Sequence, residues 1–335
     1  MKAIVCTRYG QTNEVVELRD MPVPEMRVND VLIKVHSASL NPIDFKIQQG
    51  AMKAIMKFKF PLILGFDVSG EVVQVGAGVQ NFKVGDWVFS RVASDRFGTL
   101  AEYVSVDENL LALKPNALSH DHAAALPLVS LTAWQALHTI AQVKPGQKVL
   151  IHAGAGGIGT IAIQIAKHLG AHVATTTSTP NVSLVKSLGA DTVVDYKTTS
   201  FEKVLQGYDM VFETLGGDNL AKSFSVLKPG GIVVSIVGIP TADWGKKQGL
   251  PVYIQWLLSL LNIKPNQMAK RLGVRYMPFL MEPDGQQLAH IGGLAAQGIL
   301  KPIIDRSYPL AQTKEALLYL QQGRATGKVI IEIGL

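Results

Sequence analysis

Cysteine is nearly absent: Cys6 is the single thiol in 335 residues. One thiol excludes an internal disulfide and any metal site built from several cysteines. It suits a reducing compartment, so the expected location is the cytoplasm. Long apolar runs are missing too. At the N-terminus MKAIVCTRYG meets the charge of Arg8 before the hydrophobic core of a signal peptide can accumulate. The longest charge-free apolar stretch, LPVYIQWLLSLLNI at 250–263, is shorter than the roughly 20 residues that cross a bilayer. It reads as a buried or partner-facing helix, and no membrane partner is expected. Repeats and low-complexity segments are absent as well.

Charge is also scarce, at 17% of residues against 47% hydrophobic, which suits a compact fold; at this length two cores are expected rather than one. The formal net charge is +6. The basic residues are scattered, the densest groups being Lys53, Lys57 and Lys59, then Lys246 and Lys247, then Lys270, Arg271 and Arg275. Such a dispersed excess favours a small polyanion, such as a phosphate-bearing cofactor, over a nucleic acid.

The first 115 residues alternate and turn like a β-rich, barrel-like domain: in DVLIKVHSASL, Val31, Ile33 and Val35 fall on one side. Helical spacing begins after Ser119. Strands and helices then alternate through KVLIHA, TIAIQIAKHL, AHVATTT, VSLVKSL, TVVDY, DMVFETL, AKSFSVL and GIVVSIVG, the pattern of a parallel sheet covered on both faces. RYMPFLM at 275–281 extends it as a sixth strand, before a helix over about 286–297. KPIIDRSYPL and GKVIIEIG resemble the first region, so the tail is expected to return to it. The expected fold class is α/β. Domain boundaries fall at 1–120, completed by 300–335, and at 121–299.

In GAGGIG, Gly154, Gly156 and Gly159 fit G-x-G-x-x-G between an apolar strand and an apolar helix. The first glycine serves a tight turn, the second a close approach to pyrophosphate, and the third helix-on-strand packing. The N–H groups of Gly157 and Ile158 at the helix start complete an anion cradle. NAD sites usually carry an acid about 20 residues on, at the end of the second strand. Here 171–181 reads AHVATTTSTPN, with no acid. Thr177, Ser178 and Asn181 can bond a 2′-phosphate that a carboxylate would repel, so NADP(H) is expected, with Lys186 or Lys197 supplying positive charge.

Together NPIDFKIQQG, GFDVSGEVVQVGAGVQNFKVGDWVF, GTLAEYV, AGAGGIGTIAIQIAKHLGA, DMVFETLGG, PGGIVVSIVG and GRATGKVIIEI span nearly the whole chain. In this order they resemble the medium-chain dehydrogenase/reductase superfamily, in its zinc-independent quinone oxidoreductase and enone (2-alkenal) reductase branch. The resemblance implies a GroES-like catalytic domain made from both chain ends, a doubly wound Rossmann domain, a cofactor in the cleft and a homodimer. Zinc-dependent members use cysteine where this chain has Asn41 and histidine where it has Phe66, so no metal is expected. Without a Lewis acid, hydride delivery to a quinone or an α,β-unsaturated carbonyl is easier than oxidation of a simple alcohol.

The resemblance also nominates residues. Asn41 would bond the substrate carbonyl or the nicotinamide ribose, against a plain turn role before Pro42, and Asp44 is read as structural. Phe66 would wall the cleft. Thr132 would face the nicotinamide, with Ser130 a weaker candidate. Tyr196 would lie near the adenosine, Gly238 near the carboxamide, and Lys328 is either a cofactor contact or a solvated strand charge. The proton that completes alkene reduction would come from water or Tyr253, and the long segment 239–273 would help wall the substrate cleft. His152 reads as an interior group, and His120 and His122 point to different helix faces. A short-chain reductase is excluded as a rival, because no tyrosine has a lysine four residues on. The remaining rival is a non-catalytic NADPH-binding protein with a structural, regulatory or RNA-binding role.

Overall fold

The structure, a computed structural model, describes residues 1–53 and 58–334; Lys57 of the first basic group lies outside them. The chain forms two compact units, Met1–Leu131 with Glu282–Leu335, and Thr132–Met281.

The first unit is β-rich. Strands β1 (Lys2–Cys6), β2 (Val16–Asp20) and β4 (Leu62–Ile63) make a three-stranded antiparallel sheet. A larger sheet joins β3 (Asp30–Leu40), β5 (Asp67–Val75), β6 (Trp87–Arg91), β7 (Tyr103–Asp107) and β8 (Leu111–Leu113) to two strands of the tail, β15 (Ile304–Pro309) and β16 (Lys328–Glu332). β16 lies antiparallel to β3, pairing Val329 with Leu40 and Ile331 with Ala38. The tail thus completes the first unit. Ile331, Val329 and Leu317 close a core with Ile4, Cys6, Leu40 and Leu100.

The second unit carries strands β9 (Lys148–Ile151), β10 (His172–Thr177), β11 (Thr192–Asp195), β12 (Tyr208–Glu213), β13 (Leu227–Ser235) and β14 (Arg275–Pro278). They form one parallel sheet in the order β11-β10-β9-β12-β13-β14. Val149, Leu150 and Ile151 are fully buried, which is why this segment is apolar without alternation: helices cover both faces. The expected sixth strand is present but stops at Pro278.

The boundaries differ from those read in the sequence, since 121–131 and 282–299 fall with the first unit. The helix Gly285–Ala296 is set hard against that unit's strands. A Cβ on Gly285 would come within 2.5 Å of the Asn109 carbonyl, and one on Gly292 within 3.2 Å of the Phe89 ring. Asp121 accepts a 2.5 Å bond from Ser37 on β3. Strand–helix alternation does not record which core the last helix joins.

Because Ile331 is fully buried in the core that the tail completes, Ile331→Ala should lower unfolding stability by about 2–5 kcal/mol in urea titration. A loss below about 0.5 kcal/mol, typical of a surface change, would contradict the tail's place in the core.

Candidate functional site

The turn after β9 is shaped by crowding. Ala153, not a glycine, takes the left-handed conformation, at φ 52°. Gly154 is needed because a Cβ there would lie 2.1 Å from Thr175 Oγ1 on β10. Gly159 is needed because its Cβ would lie 2.2 Å from the Ala153 carbonyl oxygen, so the helix Gly157–His168 starts directly on the turn. Gly156 is different. A Cβ there meets the Ala153 oxygen at 3.3 Å and no other atom within 4 Å. The open side of the turn therefore faces away from the protein, where a ligand can approach the backbone. Gly156 caps the helix, and the N–H groups of its first turn, from Gly157 and Ile158, have no intrahelical acceptor. Both residues are partly exposed. This geometry fits a pyrophosphate.

At the end of β10 Thr177 is buried, while Ser178 and Asn181 are partly exposed, the Asn181 amide reaching Ser178 Oγ at 3.4 Å. The sequence window lacks an acid, yet register places Asp195 of β11 beside Thr177. Its carboxylate accepts from Thr179 Oγ1 at 2.5 Å and from the Lys197 N–H at 2.9 Å, which hold it below the ordinary carboxylate range. Tyr196 is 57% exposed, so it does not cover the core; the Lys197 ammonium sits 5.4 Å above its ring. Lys186 is exposed. Gly238 is packed on β14, where a Cβ would lie 2.3 Å from the Tyr276 hydroxyl. His152 is fully buried between Thr176 Oγ1 (3.1 Å) and Ser223 Oγ (3.0 Å), and burial lowers its pKa to about 4. It is the interior group expected.

The first unit holds an ion cluster around Asn41. Pro42–Gln48 is a short helix capped by Asn41, whose N–H donates to Asp44 Oδ2 at 2.7 Å. The Asn41 side chain is engaged at both ends: Nδ2 donates to Asp67 Oδ2 (2.8 Å), and Oδ1 accepts from Lys328 Nζ (2.5 Å). Lys328 also donates to the Leu40 carbonyl at 2.9 Å and lies 3.4 Å from Asp67. Asp67 accepts further bonds from Ser39 Oγ (2.9 Å) and the Leu128 N–H (2.8 Å). Lys328 is buried, so it is not a solvated strand charge, and desolvation lowers its pKa. Arg91, also buried, stacks its guanidinium 4.6 Å over Phe66 and donates to the Val92 carbonyl and Ser94. Phe66 is 1% exposed and stacks on Phe97, which makes it a core residue instead of a cleft wall.

Among the described residues no group of three His, Cys, Asp or Glu is arranged to hold a metal ion. The residues around Asn41 do not fit zinc on their own chemistry. The Asn41 oxygen is taken by an ammonium, whose charge would repel a divalent cation at the same atom, and Phe66 offers no donor.

The other nominated residues divide. Thr132 is buried in the helix Pro127–Trp134, and Ser130 bonds its own helix through the Pro127 carbonyl. Tyr253 stands 72% exposed on the helix Val252–Leu261, among apolar neighbours. That placement gives its phenol no advantage over water as a proton source. The sequence missed Asp67 and Arg91 as parts of the cluster; the aspartate ending GFD and the arginine ending WVFSR were the available signals.

Asp44 Oδ1 is buried with no hydrogen-bond partner among the described residues, and desolvation raises the Asp44 pKa to about 7. A carboxyl raised this way binds a proton in the folded state that the unfolded chain has released. Its stabilising contribution is complete below pH 3.8 and is lost as pH rises toward 7. Asp44→Asn should therefore gain stability relative to the parent chain across that window, at up to roughly 1.4 kcal/mol per pH unit, read from urea unfolding at several pH values. A pH-independent difference would show that Asp44 titrates normally.

Residues 27–116 match the family described as Alcohol dehydrogenase GroES-like domain, and residues 188–331 the family described as Zinc-binding dehydrogenase. The chain is 36% identical over 341 residues to 2-methylene-furan-3-one reductase of Solanum lycopersicum, covering 99% of this chain and 79% of that protein. It is 35% identical, with the same coverage of both chains, to a chloroplastic NADPH-dependent alkenal/one oxidoreductase of Arabidopsis thaliana. Among solved structures, the quinone oxidoreductase from Coxiella burnetii superposes with a TM-score of 0.85 at 35% identity, covering 99% of each chain. The glycine turn on its parallel sheet, the GroES-like unit closed by the tail and these full-length similarities lead to one conclusion: the chain is an oxidoreductase and belongs to the medium-chain dehydrogenase/reductase superfamily.

Proposed function

We propose that the protein is an NADPH-dependent reductase of quinones or α,β-unsaturated carbonyls, working by hydride transfer. The observation that carries the reading is the turn Ala153–Gly159, crowded inward at Gly154 and Gly159 and open outward at Gly156. The names of the relatives support the substrate classes and the cofactor.

The chain's own residues would act as follows. The N–H groups of Gly157 and Ile158 hold the pyrophosphate, and Ser178, Asn181 and Thr177 hold the 2′-phosphate. The carboxylate of Asp195 is already committed to Thr179 and the Lys197 backbone, which reduces its repulsion of that phosphate. Bound, the dihydronicotinamide supplies hydride. Asn41 is as buried as Phe66, at 1% exposed, so only an acceptor oxygen that enters as far as its amide would reach it. There its amide hydrogen beyond the bond to Asp67, polarised by the Lys328 ammonium on Oδ1, would donate to a developing enolate or phenolate oxygen. Thr132, Tyr196 and Gly238 complete the proposed cofactor contacts, and water supplies the proton. The acceptors need no Lewis acid, since they are already polarised. The relatives carry enzyme names, and no observation favours the non-catalytic reading.

Titration with NADPH and NADH, followed by NADPH oxidation against ortho-quinones, 2-alkenals and alkenones, tests the proposal. NADPH should bind more tightly and be consumed with at least one acceptor class. Tighter NADH binding, or binding without consumption across the panel, would overturn it.

A further inference from the structure

The helix Val252–Leu261 is inside out for a surface helix. Its outward face carries Val252, Tyr253, Trp256, Leu257, Leu260 and Leu261, all exposed. Trp256 is 70% exposed. The spacing i, i+1, i+4, i+5, i+8, i+9 puts these six side chains on one side of a 3.6-residue turn. Its inward face is pinned in place. Leu258 is buried, its Cδ1 placed 3.1 Å from where a Cβ on Gly245 would stand. The buried Asn262 amide donates to the carbonyls of Ile239, Pro240 and Leu258. The apolar face is therefore a fixed feature of the fold rather than a frayed end. A contiguous exposed apolar patch of this kind marks a contact surface. Of the two readings expected from the sequence, a buried helix or a partner-facing one, the exposed face excludes the first.

Charge identifies what the surface meets. From Trp244 to Met281 the chain has six basic residues, Lys246, Lys247, Lys264, Lys270, Arg271 and Arg275, and no Asp or Glu. The whole chain has a formal net charge of +6, so the remainder is neutral and this segment carries the entire excess. Lys246 and Lys247 are exposed on the helix Ala242–Lys247, which packs on the apolar helix, and Lys264 is exposed just beyond its end. Asp243 on the helix of Lys246 and Lys247, and Glu282 just past Met281, are the nearest carboxylates in sequence and offset only part of this charge. A second copy facing the segment across a two-fold axis would therefore meet a net like charge. A bilayer with anionic headgroups satisfies both features. Leucine and valine enter the headgroup–acyl boundary, tryptophan and tyrosine suit the interface, and lysines meet lipid phosphates. At ten residues the helix is too short to span a bilayer and would lie in its interface.

We propose that the helix Val252–Leu261 and its flanking basic residues dock the protein on an anionic membrane surface. The test is co-sedimentation of the full chain with vesicles of phosphatidylcholine and phosphatidylglycerol, and with vesicles of phosphatidylcholine alone. The protein should pellet with the anionic vesicles and much less with the neutral ones, and its tryptophan emission should shift to the blue on binding. Leu260→Glu with Trp256→Glu should abolish pelleting. Lys246→Gln with Lys247→Gln, which leaves the apolar face intact, should weaken it roughly 25-fold, at about 5-fold per lysine. Circular dichroism melting controls for folding of each variant. No pelleting with anionic vesicles, or pelleting indifferent to either pair of substitutions, would overturn the proposal. So would a lipid-free dimer that Leu260→Glu converts to monomer, because the face would then be a self-interface.

Discussion

Crowding at two glycines fixes the shape of the turn on which the proposed function depends. Between β9 and the helix that follows, the backbone passes so close to Thr175 and to its own Ala153 carbonyl that Gly154 and Gly159 cannot carry even a Cβ. That compression brings the helix start, with N–H groups that have no intrahelical acceptor, to the C-terminal end of a central strand. Gly156 is spared because its open side faces outward. Helix dipole, free donors and bare backbone thus converge where a pyrophosphate would lie.

The second constraint lies in the first unit. Asp67 gathers Ser39, Asn41, Lys328 and the Leu128 N–H, tying strands β3, β5 and β16 to the start of a helix. A buried ion pair is weak evidence of net stability, because desolvation opposes attraction, but removal of either partner leaves a costly charge. The cluster therefore serves better as a positioning device. It holds the Asn41 amide in one orientation and keeps an ammonium on its oxygen. The acceptors proposed here are apolar carbonyl compounds, and a membrane-facing helix on the same chain would place the enzyme beside the phase in which such compounds collect.

The glycine turn was legible in the sequence because backbone crowding permits one residue type, and the strand–helix rhythm was legible because burial on two faces removes alternation. The identity of the left-handed residue was not legible: Ala153 takes that role with nothing in its side chain to mark it. Contacts across long sequence separations were hidden as well. Lys328 and Asp67 are 261 positions apart and meet because the tail strand pairs with β3, so Lys328 read equally well as a surface charge. Asp195 escaped notice for the same reason: it is distant from Thr177 in sequence and opposite it in register. In the stretch 250–263 the run is apolar nearly all round, and periodicity could not say which side the fold would leave uncovered.

The proposed reductase activity requires a dinucleotide seated on the Ala153–Gly159 turn, and Gly156→Val addresses that seat directly. The backbone there is extended, at φ −76° and ψ 171°, and a Cβ meets no other protein atom than the Ala153 oxygen, so the variant should fold. Calorimetric titration with NADPH should find its affinity weakened more than about tenfold, or about 1.4 kcal/mol, with the melting temperature little changed. Parent-like NADPH affinity in a folded Gly156→Val protein would contradict the account.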